Sequence, residues 1–249
     1  MPPTFWQRLR HALRVHKLLL LALLAGLVLP WVVFLNVAED IWESGGFVGD
    51  HRILAFLHHH ATPLLDRLAL ALTAVGGPWP MGIVAGLIAL GLLLSGRRTS
   101  AWFFVLSVGG AMALNIAVKQ AFARPRPALW VSLKPASYYS FPSGHAMGAA
   151  ALLMALGFGL AHRRGRWLAW TLGPLFVLGV GWSRVYLGVH YPSDVLAGWT
   201  GSVGWVTGVH VLFSPTFHRL RGRWRMALHR WLPGVVAAPD EAKSSAPAA

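Results

Sequence analysis

The 249-residue sequence predicts an all-α fold: an integral membrane bundle of six transmembrane helices with short interfacial helices. Hydrophobic residues make up 55% of the chain and charged residues only 12%. A soluble domain carries about 25% charged residues, so composition alone points to the membrane class. Mean hydropathy is +0.54. Apolar runs recur from Leu18 to Phe213, at lengths near the roughly 20 residues a bilayer-crossing helix needs.

In chain order, a basic cytoplasmic N-terminus (residues 1–16) precedes a six-span domain (17–213). The N-terminus resembles a signal peptide, but the apolar run continues from Leu18 to Phe34 without a small-residue cleavage site, which predicts an uncleaved first span. The expected spans are residues 17–37, 79–95, 99–120, 144–160, 167–185 and 192–213. The turn signal Gly76-Gly77-Pro78 opens the second. Between the first two lies an extracytoplasmic segment, 39–75, read as one or two short helices broken at Pro63, with a single kinked span over 63–95 as the alternative. Residues 214–249 form a basic cytoplasmic tail. Its stretch 220–232 reads either as an amphipathic helix or as a stop-transfer flank, and 233–249 has the composition of a disordered end.

Orientation follows from Lys and Arg near the span ends. Arg8, Arg10, Arg14 and Lys17, then Arg97 and Arg98, then Arg163, Arg164 and Arg166, then Arg219 to Arg225 share one side if there are six spans. That side is cytoplasmic, with both termini inside, in a bacterial inner or cell membrane. The net charge of +14 therefore reports topology rather than nucleic-acid binding. With no cysteine, disulfides and thiolate metal sites are excluded.

Lys119, Arg124, Arg126, Lys134 and Arg184 fall on the opposite side, where positive charge needs another reason. Binding an anion supplies one. Lys119 closes the third span and Arg126 follows seven residues on, between Pro125 and Pro127. The prolines restrict where the guanidiniums point, and arginine's planar fork suits phosphate oxygens. A snorkelling lysine and an interfacial arginine clamp remain the plainer reading.

In Phe141-Pro142-Ser143-Gly144-His145, Ser143 is a helix N-cap and Gly144 permits close backbone approach. The helix start suits an anion. A capping pair with an incidental histidine is the plainer reading. In the segment from Ser183 to Asp194, Arg184 closes the fifth span and His190 opens the sixth. His190 and Asp194, four apart, share a helix face, and the carboxylate can fix the tautomer that frees Nε2 as a nucleophile. The alternative is an ion pair tying down the helix end.

These three clusters resemble the signature of the type 2 phosphatidic acid phosphatase superfamily, here Lys119-x6-Arg126-Pro127, then Pro142-Ser143-Gly144-His145, then Ser183-Arg184-x5-His190-x3-Asp194. The resemblance implies a lipid phosphatase acting without metal or other cofactor. His190 would be the nucleophile, forming a phosphohistidine, and Asp194 its orienting partner. His145 would be the general acid and then the base. Lys119, Arg126, Arg184, Ser143 and Gly144 would cradle the phosphate. The implied partners are the bilayer and a lipid phosphate or diphosphate, such as undecaprenyl diphosphate, phosphatidylglycerophosphate or phosphatidate. A neutral His190 and a protonated His145 imply a bell-shaped pH profile. Arg124, outside the strict signature, is read as contacting a headgroup or a second phosphate. Lys134, Ser137, Tyr138 and Tyr139 lie where substrate would enter, although ordinary interfacial aromatics account for the tyrosines as well. His58-His59-His60 lacks acidic or Cys partners and is not read as a metal site. A phosphotransferase of the same superfamily, and a non-enzymatic anionic-lipid transporter, are the competing classes.

Overall fold

The computed structural model describes residues 17–134, 138–159 and 166–214. The N-terminal residues 1–16 and the tail from 215 onward, including the 220–232 stretch, lie outside the described residues. The chain divides into two units, Met1–Val209 and His210–Ala249. The second is described only over 210–214, where the Ser214 amide donates to Val211 O at 3.1 Å.

Among the described residues every regular element is helical. Helix α1 (Lys17–Leu23) passes through a π-helical turn (Leu24–Val28) into α2 (Leu29–Ser44). Two shorter helices follow, α3 (Gly49–His59) and α4 (Pro63–Val75), then α5 (Pro78–Leu94) and α6 (Arg98–Phe122). The last three are α7 (Gly144–Gly159), α8 (Arg166–Tyr186) and α9 (Pro192–Phe213).

Local chemistry explains the boundaries. Thr62 caps α4 by accepting from the Leu65 amide, and Pro63 occupies the first turn, where its missing N–H costs nothing. Gly45 ends α2 in a left-handed conformation, φ 79°, with its amide on Ile41 O. The first apolar rod therefore runs to Ser44, beyond the expected residue 37, and carries Glu39, Asp40 and Glu43 on its last turns. The 39–75 segment does hold two short helices, broken before Pro63.

Among the described residues, three helical stretches are long and apolar enough to cross a membrane: Leu20–Ser44, Arg98–Phe122 and Pro192–Phe213. Helices α4 and α5 qualify together, bent by 41° at Gly76-Gly77, which is the kinked arrangement considered as an alternative above. Helix α7 is apolar but shorter, and α8 has Pro174 inside it. Length and composition thus support three spans, or four with the bent pair, where six were expected. The outward faces of the rods remain apolar, with Leu24, Leu35, Ile83, Leu87, Ile116 and Leu175 exposed, as a lipid solvent requires.

Small residues bring the helices together around the site. A Cβ on Gly198 of α9 would sit 2.8 Å from Ser143 O and 3.2 Å from the Met147 amide nitrogen, so only glycine lets α9 lie against the start of α7. Ser202 donates to Met147 O at 2.7 Å, one turn further along the same contact.

Candidate active site

The three polar clusters meet at one end of the bundle. The residues 123–127, just after α6, bring in two arginines with opposite surroundings. Arg124 is 5% exposed and spends its fork on protein. Its Nη1 donates to Asp194 Oδ1 (2.6 Å) and Ser193 Oγ (2.8 Å), and its Nη2 to Gly45 O (2.7 Å) and Asp50 Oδ2 (3.0 Å). Its guanidinium also lies 4.0 Å over the Tyr191 ring. The headgroup or second-phosphate reading of Arg124 is thereby corrected: the side chain is consumed by two buried carboxylates. Asp50, in the first turn of α3, is the residue that sequence reasoning missed. It lies 74 positions from Arg124, and no local spacing signals the pair.

Arg126 turns the other way. Its Nε donates to Tyr138 O (2.8 Å), and Nη1 donates to Val189 O (2.6 Å) and to His190 Nε2 (3.1 Å). Arginine can only donate, so this contact requires a lone pair on Nε2 and puts the ring proton on Nδ1. Nδ1 lies 3.4 Å from Asp194 Oδ2. The geometry therefore holds the tautomer whose Nε2 is nucleophilic. The pair does not meet through a shared helix face, however, because α9 begins at Pro192. His190 belongs to the preceding turn, and the Asp194 carboxylate folds back to accept the Tyr191 amide at 2.9 Å. It thus caps its own helix while facing the ring.

His190 is 2% exposed. Burial first, then the charges of Arg126, Arg184 and Lys119, pull its pKa well below the ordinary histidine value, so the ring is neutral at pH 7. Burial also lowers Arg126, with Asp194 opposing, although a guanidinium remains charged. Burial raises Tyr191, with Arg124 opposing.

Ser143 is buried, its hydroxyl accepting from the Ala146 amide at 3.5 Å and its carbonyl from Met147 at 2.9 Å. Its own amide donates to Asp194 O at 3.0 Å, tying the second cluster to the third. The later first-turn amides of α7 are what an anion can use. Asn115 holds Pro142 O at 3.1 Å, and the Phe141-Pro142 bond is cis. His145 is partly exposed and lies within electrostatic reach of Arg184, His190, Lys134 and Arg126. Arg184 is buried, with Nη1 on Thr73 Oγ1 of α4 and its carbonyl receiving the Val189 and His190 amides, each at 3.2 Å. Lys119 Nζ donates to Tyr139 O (2.6 Å) and Ser140 O (3.3 Å).

Lys134 and Tyr138 border this region, while Ser137 lies outside the described residues. Of the histidine run, His58 stacks on Trp130 at 4.1 Å and His60 Nδ1 pairs with Phe56 O at 2.8 Å. An open apolar cavity of about 410 Å³ is lined by Leu57, Leu65, Leu68, Leu72, Trp182 and Tyr186.

A helical membrane protein with a buried His–Asp pair and converging cations is the class that fold and site define. Residues 100–217 match the PAP2 superfamily. An undecaprenyl-diphosphatase of Sulfolobus acidocaldarius is 36% identical over 51% of this chain and 62% of its own length. A decaprenylphosphoryl-5-phosphoribose phosphatase of Mycobacterium tuberculosis is 38% identical over 54% of this chain and 76% of its own. The crystal structure of a transmembrane PAP2 type phosphatidylglycerolphosphate phosphatase from Bacillus subtilis superposes with a TM-score of 0.67 at 26% identity, covering 74% of this chain and 94% of that one. The chain belongs to the PAP2 superfamily, and it is a membrane protein.

Proposed function

We propose that this chain is a metal-independent lipid phosphatase working through a phosphohistidine on His190. The observation that carries the reading is the His190 ring, buried and held with its Nε2 toward Arg126 and its Nδ1 toward Asp194. In the first step Nε2 attacks phosphorus and the bond to the leaving oxygen breaks. His145 gives that oxygen its proton. The arriving phosphate supplies the negative charge that a protonated His145 needs among Arg184, Lys134 and Arg126. Asp194 balances the charge on the phosphorylated ring. In the second step water attacks phosphorus, His145 takes its proton, and the N–P bond returns its electrons to Nε2. Arg126, Arg184, Lys119 and the Ser143-Gly144 start of α7 hold the phosphoryl oxygens.

The substrate is a lipid phosphate or diphosphate, in the class of undecaprenyl diphosphate, phosphatidylglycerophosphate or phosphatidate. The apolar cavity beside Tyr186 offers a path for its chain. On this reading α7 and α8 also cross the bilayer, giving six spans, with both termini cytoplasmic and the site outside the inner membrane. The experiment is phosphate release from a panel of lipid phosphates in detergent with chelator present. Wild type should turn over and His190→Ala should lose all turnover. Activity that vanishes with chelator, or survives the substitution, would sink the mechanism. Transfer of label to lipid instead of water would favour a phosphotransferase.

A further inference from the structure

We infer that Asp50, outside the family-matched region 100–217, is a positioning residue of the catalytic centre, which it reaches through Arg124 and Ser193. The inference rests on the phosphohistidine reading of His190 and Asp194. Asp50 is 3% exposed and uses both carboxylate oxygens. Oδ1 accepts the Ser193 amide at 3.0 Å. Oδ2 accepts the Ser193 hydroxyl at 2.5 Å and Arg124 Nη2 at 3.0 Å. The other arm of Arg124 reaches Asp194, which is completely buried, at 2.6 Å. One cation is thus shared by two carboxylates, so Arg124 is not paired with Asp194 alone.

The consequence is electrostatic. The His190 ring gains positive charge when its Nε2 bonds to phosphorus, and Asp194 is the anion beside Nδ1. If Arg124 were paired with Asp194 alone, that carboxylate would be neutralised just where it is needed. Asp50 draws part of Arg124's charge away and fixes the guanidinium's position. Among the other groups near His190, the cations Arg126, Arg184 and Lys119 and the His145 ring cannot replace that anion. Two neighbouring contacts from the same segment, Asp66 Oδ1 with Tyr186 OH at 2.7 Å and Thr73 with Arg184, fasten α4 to α8. They allow fastening to be separated from charge.

The test compares purified wild type, Asp50→Asn, Asp50→Glu, Ser193→Ala and Asp66→Asn in detergent. The readouts are kcat and KM on one lipid phosphate and Tm from intrinsic fluorescence, with His190→Ala alongside. Outer partners of metal-ligating histidines cost about 10–100-fold when removed, and the same scale is taken here for a histidine nucleophile. Asp50→Asn should lower kcat by that factor with KM near wild type, and Asp50→Glu should recover part of it. Ser193→Ala keeps every charge but removes the hydroxyl's two hydrogen bonds, from Arg124 and to Asp50, and should cost kcat about 5- to 100-fold. Asp66→Asn should lower Tm and leave kcat nearly unchanged. Wild-type kcat in Asp50→Asn overturns the inference, as does a loss that Asp66→Asn reproduces. If Asp50→Asn does not fold, Ser193→Ala decides: reduced kcat at unchanged KM supports the positioning role, and wild-type kcat refutes it. An active His190→Ala would instead refute the reading beneath it.

Discussion

Arg124 and Arg126 stand two positions apart with prolines between and after them, and they do opposite work. Arg124 is held between two buried carboxylates, whereas Arg126 borders the nucleophile. Residue type and spacing announced that guanidiniums are held here, and that much was legible. Which one is structural was not, because the deciding partner, Asp50, comes from another helix. The two should therefore fail differently on truncation. Arg124→Ala leaves Asp50 and Asp194 buried without their cation, which costs about 3–5 kcal/mol. We expect a large fall in Tm and in the yield of folded protein. Arg126→Ala removes a donor facing the reacting centre, and losing such a donor costs about 10²–10³ in rate. It should fold with a Tm close to wild type and lose kcat/KM by that factor. Measuring Tm and kcat/KM for both checks the pair, and two variants failing alike would contradict the division.

The turn between α8 and α9 is the element on which the site depends. Helix α8 ends with the Leu187 amide on Ser183 O (3.0 Å) and the Gly188 amide on Val185 O (2.9 Å). The chain then reverses at Gly188, φ 68°, and delivers His190. Ser132 Oγ fastens the turn through Leu187 O at 2.6 Å. A Cβ on Gly188 would meet the Trp130 indole at 2.6 Å. Gly188→Ala thus combines a left-handed alanine, at about 1–2 kcal/mol, with displacement of Trp130. The expected outcome is a Tm several degrees lower and a kcat reduced more than KM is raised, since His190 moves while the arginines stay. Unchanged Tm and kcat would contradict it. Helix ends were largely legible in the sequence: the expected 192–213 matches α9, and 79–95 matches α5 within one residue. The turn's geometry was not, because Trp130 and Ser132 reach it from a loop some 55 residues away in sequence.

For the whole molecule, the apolar runs made the helical membrane class legible. The number of crossings was less so: α4 and α5 qualify only together, as a bent pair, and α7 over its described residues is shorter than a full span. Charge still orders the two ends. Arg97 and Arg98 sit at the start of α6, and Lys119 lies near the other end, 21 residues from Arg98. At about 1.5 Å per residue that separation is near 30 Å, the thickness of a hydrocarbon core. On the proposed orientation the Arg97 end of α6 faces the cytoplasm and the Lys119 end carries the site. The chain contains no cysteine, so single cysteines can report each end without background. Val131, 93% exposed beside the site, and Thr99, exposed at the basic end, are suitable positions. In intact spheroplasts an impermeant maleimide should label Val131→Cys fully and leave Thr99→Cys unlabelled until the membrane is permeabilised. The reverse pattern would place the site in the cytoplasm and overturn the assigned orientation, because the positive-inside bias would then have been outweighed by the cations of the site itself.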